Sequence, residues 1–163
     1  MRHAFAAASA FLAVTSACAA KDASRPDVIS FGSSVAEMEA ALEDKCASME
    51  TRETEPFMPI HEKQHQIDCA GFDYFGAPRE AEFVFGDDAL IIVWILTEKS
   101  EEAALEKAFT EQYGSPTHKS DGFTAFADDN AAVRKDIPEA LFYSPAISGQ
   151  YRAFFDSQTA PAE

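Results

Sequence analysis

The stretch that decides the fold is residues 80–97, Glu-Ala-Glu-Phe-Val-Phe-Gly-Asp-Asp-Ala-Leu-Ile-Ile-Val-Trp-Ile-Leu-Thr. Two apolar runs, residues 83–85 and 90–96, flank Gly86-Asp87-Asp88-Ala89, whose residue types favour a tight turn. This pattern predicts a β-hairpin. The second run is apolar at every position, so neither of its faces can be left to solvent. We therefore expect residues 90–96 to form the central strand of a sheet.

The first 20 residues have the composition of a signal peptide. A short basic start precedes an apolar run at residues 4–14, and Ala17-Cys18-Ala19 matches the small-residue cleavage pattern. The apolar run is too short to span a bilayer. An alternative is a lipoprotein in which Cys18 is lipidated, although Thr15 stands where that motif has leucine. Both interpretations predict an exported chain that is periplasmic or secreted, or else lipid-anchored through Cys18.

Removal of the signal peptide leaves two cysteines, Cys46 and Cys69. An even number of cysteines in an exported chain predicts a disulfide rather than two separate buried thiols. The bond closes a loop of about 24 residues, which in the chain-entropy model stabilises the fold by roughly 3 kcal/mol.

The chain is strongly acidic. Its formal net charge is −15, and it becomes −16 on removal of the signal peptide because Arg2 leaves without any acid. This charge argues against nucleic acid and against anionic lipid surfaces as partners. An ordinary solvated acidic surface is the simplest explanation, and a basic protein partner or cations are the alternatives.

Two amphipathic helices are predicted. Ser34 and Glu37 form a capping box at the start of the first helix. Its apolar stripe consists of Val35, Met38, Leu42 and Cys46. The second helix follows the hairpin, with Ser100 as its N-cap and Gly114 at its end.

The remaining segments carry weaker signals. Residues 28–32 suggest a short edge strand, and residues 66–72 a longer strand. Residues 47–63 are polar, contain two prolines and are expected to form a long connection. Residues 151–155 fit either a short helix or an edge strand. Residues 126–129 repeat the turn chemistry of residues 85–88; a duplication of helix plus hairpin is conceivable, and shared turn chemistry is the simpler explanation.

The predicted fold class is α+β. We expect an antiparallel sheet of about five or six strands, with two helices packed on one face and one disulfide. The single domain spans residues 28–156, after a flexible leader at 21–27 and before a disordered tail at 157–163. Because the central strand is apolar on both faces, the second face also needs a cover, either the aromatic C-terminal segment or another chain.

Four stretches of the chain carry a family resemblance: Phe31-Gly32-Ser33-Ser34, residues 66–72, residues 79–85 and Glu111-Gln112-Tyr113-Gly114. In these the chain resembles small exported bacterial α+β proteins that pair a capped N-terminal helix with antiparallel strands and a second helix ending in Tyr-Gly. The resemblance spans most of residues 30–145 and implies no activity or catalytic residues, because the family is uncharacterised.

One motif carries recognisable chemistry. His61-Glu62-Lys63-Gln64-His65 matches H-E-x-x-H, which on a helix holds zinc through its two histidines while the glutamate polarises a water. Pro59 and the strand expected from Gln66 leave little room for a helix there. Third ligands are candidates only: His118, Asp68 and Asp73. We therefore rank His61 and His65 as a metal site below a purely structural role.

Three functions remain open. The leading prediction is a non-enzymatic periplasmic or secreted binding protein with no cofactor and, as its ligand, a protein partner. The first alternative is a zinc-dependent hydrolase that uses His61, Glu62 and His65. The second alternative is an inhibitor of a secreted enzyme that presents residues 47–63.

Overall fold

The computed structural model describes residues 21–58 and 61–159. The predicted signal peptide, with Cys18, lies outside the described residues, as do the last four residues of the predicted tail.

All eight strands of the described residues belong to one antiparallel sheet with the order β1-β2-β3-β4-β8-β7-β6-β5. The strands are β1 (Ser48–Thr54), β2 (Gln64–Tyr74), β3 (Ala77–Gly86), β4 (Ala89–Leu96), β5 (His118–Lys119), β6 (Phe123–Phe126), β7 (Ala131–Arg134) and β8 (Glu139–Tyr143). The predicted hairpin is β3–β4, and its turn places Asp87 and Asp88 at φ 49° and 66°. Strand β4 lies between β3 and β8, so its central position is confirmed.

Three α-helices of the described residues accompany the sheet: α1 (Val35–Leu42), α2 (Glu102–Tyr113) and α3 (Ser148–Thr159). The predicted capping box of α1 is present, with Ser34 Oγ accepting from the backbone N–H of Glu37. Gly114 ends α2 with φ 82°, a conformation that glycine adopts without strain. The predicted N-cap of α2 was wrong, because Ser100 lies inside a 3₁₀ turn, Lys99–Glu101, that precedes the helix.

Helices α1 and α2 pack on one face of the sheet, which we call the front face. Met38 and Leu42 of α1 and Leu105 and Phe109 of α2 are fully buried there. Their buried partners from the strands include Ile67, Phe83, Val93 and Phe142. Burying side chains of this size contributes about 1.5–3 kcal/mol each, so this core is a main source of stability.

Helix α3 packs on the opposite face, the back face. Phe155 of α3 is 1% exposed and belongs to a second core with Ile92, Leu141 and Tyr143. The ring of Tyr151 stacks on that of Tyr143 with 4.2 Å between centroids. The C-terminal segment of the same chain therefore covers the back face beside this second core, and residues 151–155 are helical.

The element order α1-β1-β2-β3-β4 is repeated as α2-β5-β6-β7-β8, and the two halves meet where β4 pairs with β8. The sheet order is thus symmetric about that junction, and both helices preceding a half lie on the front face. The repeated turn noted in the sequence does not follow this symmetry: residues 85–88 join β3 to β4, whereas residues 126–129 join β6 to β7.

The Cys46–Cys69 disulfide is confirmed. Cys46 follows the end of α1 and Cys69 lies in β2; the Cα atoms of the two cysteines are 5.4 Å apart. Cys69 is fully buried in the front-face core, so the bond joins α1 to the sheet it covers.

The predicted five or six strands and two helices are fewer than the eight strands and three α-helices of the described residues. Strand β1 was mistaken for part of a polar connection because six of its seven residues are exposed, which leaves no apolar alternation to recognise. Strand β5 has only two residues. Residues 28–32 form turns rather than a strand, although Gly32 and Ser33 exchange backbone hydrogen bonds with Leu90.

The ends of the domain also differ from expectation. Helix α3 runs to Thr159, so residues 157–159 are helical rather than part of a disordered tail. In the predicted leader, Ala23 is buried and its carbonyl accepts from the Tyr74 hydroxyl at 3.0 Å. The leader therefore packs on the domain.

Candidate functional site

The H-E-x-x-H segment does not form a helix. His61 lies in the loop before β2, and His65 lies within β2. His65 shares the front-facing register of Ile67 and Cys69, whereas the imidazole of His61 packs over Gly86, which alternates with Phe85 and so faces the back. The two histidines thus lie on opposite sides of the sheet, and the geometry offers them no common metal.

His61 instead belongs to a loop anchored by Asp87. The Asp87 carboxylate accepts from the backbone N–H groups of Glu62 (2.9 Å) and Lys63 (3.0 Å), and it lies 3.2 Å from His61 Nδ1. The Lys63 N–H and the His61 ring lower the pKa of Asp87. The motif therefore holds the loop to the β3–β4 turn.

Two of the candidate third ligands have other partners. His118 Nε2 lies 2.9 Å from Asp156, and Asp68 forms an ion pair with Arg52 at 2.6 Å. Among the described residues, no group of three or more histidine, cysteine, aspartate or glutamate side chains is arranged to hold a metal ion. The metal site at His61 and His65 stays a prediction without a supporting geometry.

A cavity with a volume of about 720 Å³ lies on the back face. We call it the back-face groove. Its floor is formed by Trp94, Leu141, Arg134 and Phe123. Phe57 and Met58, from the connection between β1 and β2, border it on one side, and Tyr151 and Phe154 of α3 border it on the other. A volume of this size is typical of ligand sites, which measure about 300–1,000 Å³.

The groove is lined by aromatic rings. Phe57 and Trp94 lie 5.8 Å apart between centroids, and Phe123 lies 4.8 Å from Phe155 and 5.9 Å from Phe154. Phe57 and Phe154 are 49% and 50% exposed, among the highest values for large apolar side chains in the described residues. Exposed aromatic surface is thus concentrated at this groove.

Arg134 carries the positive charge of the groove. It donates to Glu139 at 2.7 Å and to Asp136 at 2.8 Å, so one guanidinium serves two carboxylates. Burial raises the pKa of Glu139 to about 7 although Arg134 favours its charged form. Asp136, which is more exposed, has its pKa lowered by Arg134.

Three acids lead across the back face to the groove. The strand register places Glu50 beside Asp68, Asp68 beside Glu82, and Glu82 beside Trp94. Burial and the neighbouring Asp68 raise the pKa of Glu82. Like charges placed directly opposite each other destabilise a sheet, and Arg52, which forms an ion pair with Asp68 at 2.6 Å, offsets part of this cost.

Local sequence patterns contain little that indicates the groove. Trp94, the single tryptophan, lies in the predicted central strand, and its presence there is the one sequence feature that points to the groove. Its proximity to Leu141, in a strand more than forty residues later, follows from the β4–β8 pairing. That pairing cannot be deduced from local patterns, so neither can the groove.

Comparison with protein-family models, curated proteins and solved structures finds no match for this chain. Among the described residues, no helix is long and apolar enough to cross a membrane.

Proposed function

We propose that this protein is a non-enzymatic, exported binding protein and that the back-face groove is its binding site. The observation that carries the proposal is the concentration of half-exposed aromatic side chains, Phe57 and Phe154, around one cavity. Aromatic side chains are enriched in binding interfaces because they bury a large area with few rotatable bonds.

The chemistry of the groove favours binding over catalysis. Its described lining contains one serine, Ser120, and no histidine or cysteine. Ser120 Oγ accepts from the backbone N–H of Gly122, which suits a turn rather than a nucleophile. Glu139, whose pKa lies near 7, is paired with Arg134, an arrangement that structural ion pairs also produce.

The disulfide supports export, because such bonds persist in oxidising compartments. An inhibitor of a secreted enzyme is the second candidate. The exposure of Phe57 favours it, since this side chain belongs to the segment, residues 47–63, that an inhibitor would present.

Site-specific photo-crosslinking tests the binding site. A benzophenone amino acid replaces Phe154 at the groove or, as control, Met49, an exposed apolar residue of β1 whose register partner Cys69 faces the front core. Both variants are expressed with the predicted signal peptide, residues 1–20, and irradiated in intact cells.

We expect a discrete crosslinked species from position 154 that is absent from position 49. Equal crosslinking at both positions, or none at position 154, would contradict the proposed site. If the crosslinked partner is an enzyme and has lost its activity, this protein is an inhibitor rather than a general binding protein.

A further inference from the structure

The charges that face the groove are predominantly negative. Asp121 and Asp136 lie at its border, against Arg134 as the single cation of the described lining. Glu139 lies buried beneath the groove beside Arg134, and because burial raises its pKa to about 7 it adds only part of a negative charge. Asp121 forms no ion pair with any described residue. The site therefore combines aromatic faces with an excess of carboxylates, and both attract cations.

The acidic row extends this property beyond the groove. Glu50, Asp68 and Glu82 follow one another across three neighbouring strands and end beside Trp94. Strands are spaced by about 4.8 Å, so the row and the groove floor together span roughly 15–20 Å. In the part of the chain that the structure describes, Arg52 is the positive side chain paired with this row: it contacts Asp68 at 2.6 Å, and its charge also acts on Glu82 and Glu50.

We infer that the back face binds a lysine- or arginine-bearing extended segment of a partner protein, with an apolar side chain of that segment in the groove. This inference rests on the proposed function of the groove. Charge complementarity defines the segment, because aromatic faces and unbalanced carboxylates select a cation beside an apolar group.

The dimensions favour a segment over a small organic cation. A small cation would occupy the aromatic groove and leave the row of three acids unused. An extended chain covers about 3.3–3.6 Å per residue, so about five residues span the row and the groove together.

The fluorescence of Trp94, the only tryptophan, reports occupancy of the groove directly. The purified chain is titrated with three acetylated and amidated hexapeptides. The first combines lysine with phenylalanine, the second replaces each lysine by glutamate, and the third replaces each phenylalanine by serine. The third peptide measures the background attraction between any cation and this acidic protein.

We expect the lysine–phenylalanine peptide to bind at least about ten-fold more tightly than either other peptide, and more weakly at high ionic strength. Equal binding of the glutamate peptide would overturn the inference and leave an apolar groove, as the proposed function requires. Equal binding of the serine peptide would show general charge attraction and also overturn it. If none of the three peptides binds, the inference is also overturned. The photo-crosslinking experiment tests the proposed function of the groove separately.

Two variants assign the effect to the groove. Asp121→Asn removes the carboxylate without an ion pair and should weaken binding of the lysine–phenylalanine peptide about two- to five-fold. Phe154→Ala should weaken it by more, because an aromatic contact is lost. Asp44→Asn, which removes a charge from an exposed residue after α1 that pairs with Lys45, should leave affinity unchanged. An equal loss in Asp44→Asn and Asp121→Asn would overturn the inference.

Discussion

The space beside Gly86, where another residue would place its side chain, is filled by the imidazole of His61. A Cβ at this position would lie 2.5 Å from the imidazole of His61, closer than real contacts allow. His61, the first histidine of the H-E-x-x-H motif, thus fills the space that a larger residue would need, and Asp87 holds it in place.

This packing predicts coupling between the two positions. Gly86→Ala should lower the free energy of unfolding by about 1–3 kcal/mol, because the added methyl group forces the ring or the loop to move. In the His61→Ala background the same substitution should cost little, since the space is then free. Urea unfolding of the four proteins of this double-mutant cycle measures the coupling. Additive effects would show that His61 does not pack on Gly86.

Glu139 makes the stability depend on pH. It is 3% exposed, and burial raises its pKa from 4.5 to about 7. Between these values the native state binds more protons at this site than the unfolded state does, so stability falls as the pH rises. The charged form is tolerated above pH 7 only with Arg134 beside it.

Comparison with Glu139→Gln isolates this contribution. The unfolding free energy of the wild type relative to this variant should decrease by about 2–3 kcal/mol between about pH 5 and pH 8. A pH-independent difference for Glu139→Gln would mean that this carboxyl titrates normally in the folded chain.

Helix α3 has two adjacent phenylalanines with different tasks. Phe155 is 1% exposed and packs among Phe123, Tyr143 and Tyr151, whereas Phe154 is half-exposed at the groove. The helix thus closes the back-face core with one ring and leaves the other half-exposed at the groove.

The pair allows stability and binding to be separated. Phe155→Ala should destabilise the chain by about 3–5 kcal/mol, because a large cavity opens in a packed core. Phe154→Ala should change the free energy of unfolding by less than about 1 kcal/mol, since its ring is already half in solvent. Thermal and urea unfolding of both variants test this. Equal costs would mean that α3 is not seated as described.

Elements that bury a regular apolar stripe could be predicted from the sequence, and those stabilised mainly by their neighbours could not. The capping box of α1 and the hairpin β3–β4 depend on adjacent residues, so local chemistry specifies them. Strand β1 is an exposed edge strand held by backbone pairing with β2, which leaves no mark in its side-chain pattern. The groove depends on the same long-range pairing, which is why its aromatic lining was missed.

The whole molecule is built from two halves with the same order of elements, joined at β4 and β8. Only α3 departs from this symmetry among the described helices, because it covers the back face beside β5–β8 and has no counterpart over β1–β3. The uncovered part of the back face is where the acidic row lies, next to the groove. The loss of symmetry therefore creates the proposed binding surface.

The junction between the halves predicts how the chain responds to division. Val93 of β4 pairs with Phe142 of β8, and Ile92 with Tyr143, and all four side chains are buried. Separating the strands exposes apolar surface whose burial contributes on the order of 5–10 kcal/mol, comparable to the stability of a whole domain. Neither half should therefore fold as a monomer.

Fragments 21–97 and 98–163, with the disulfide intact in the first, should be unfolded or self-associated when separate. Mixed in equal amounts, they should form a one-to-one complex with the circular dichroism spectrum of the intact chain, because every strand pairing of each half is internal except β4–β8. Size-exclusion chromatography and circular dichroism measure both properties. Cooperative unfolding of either fragment as a monomer would show that the two halves are independent folding units, and the apolar junction would then need another explanation.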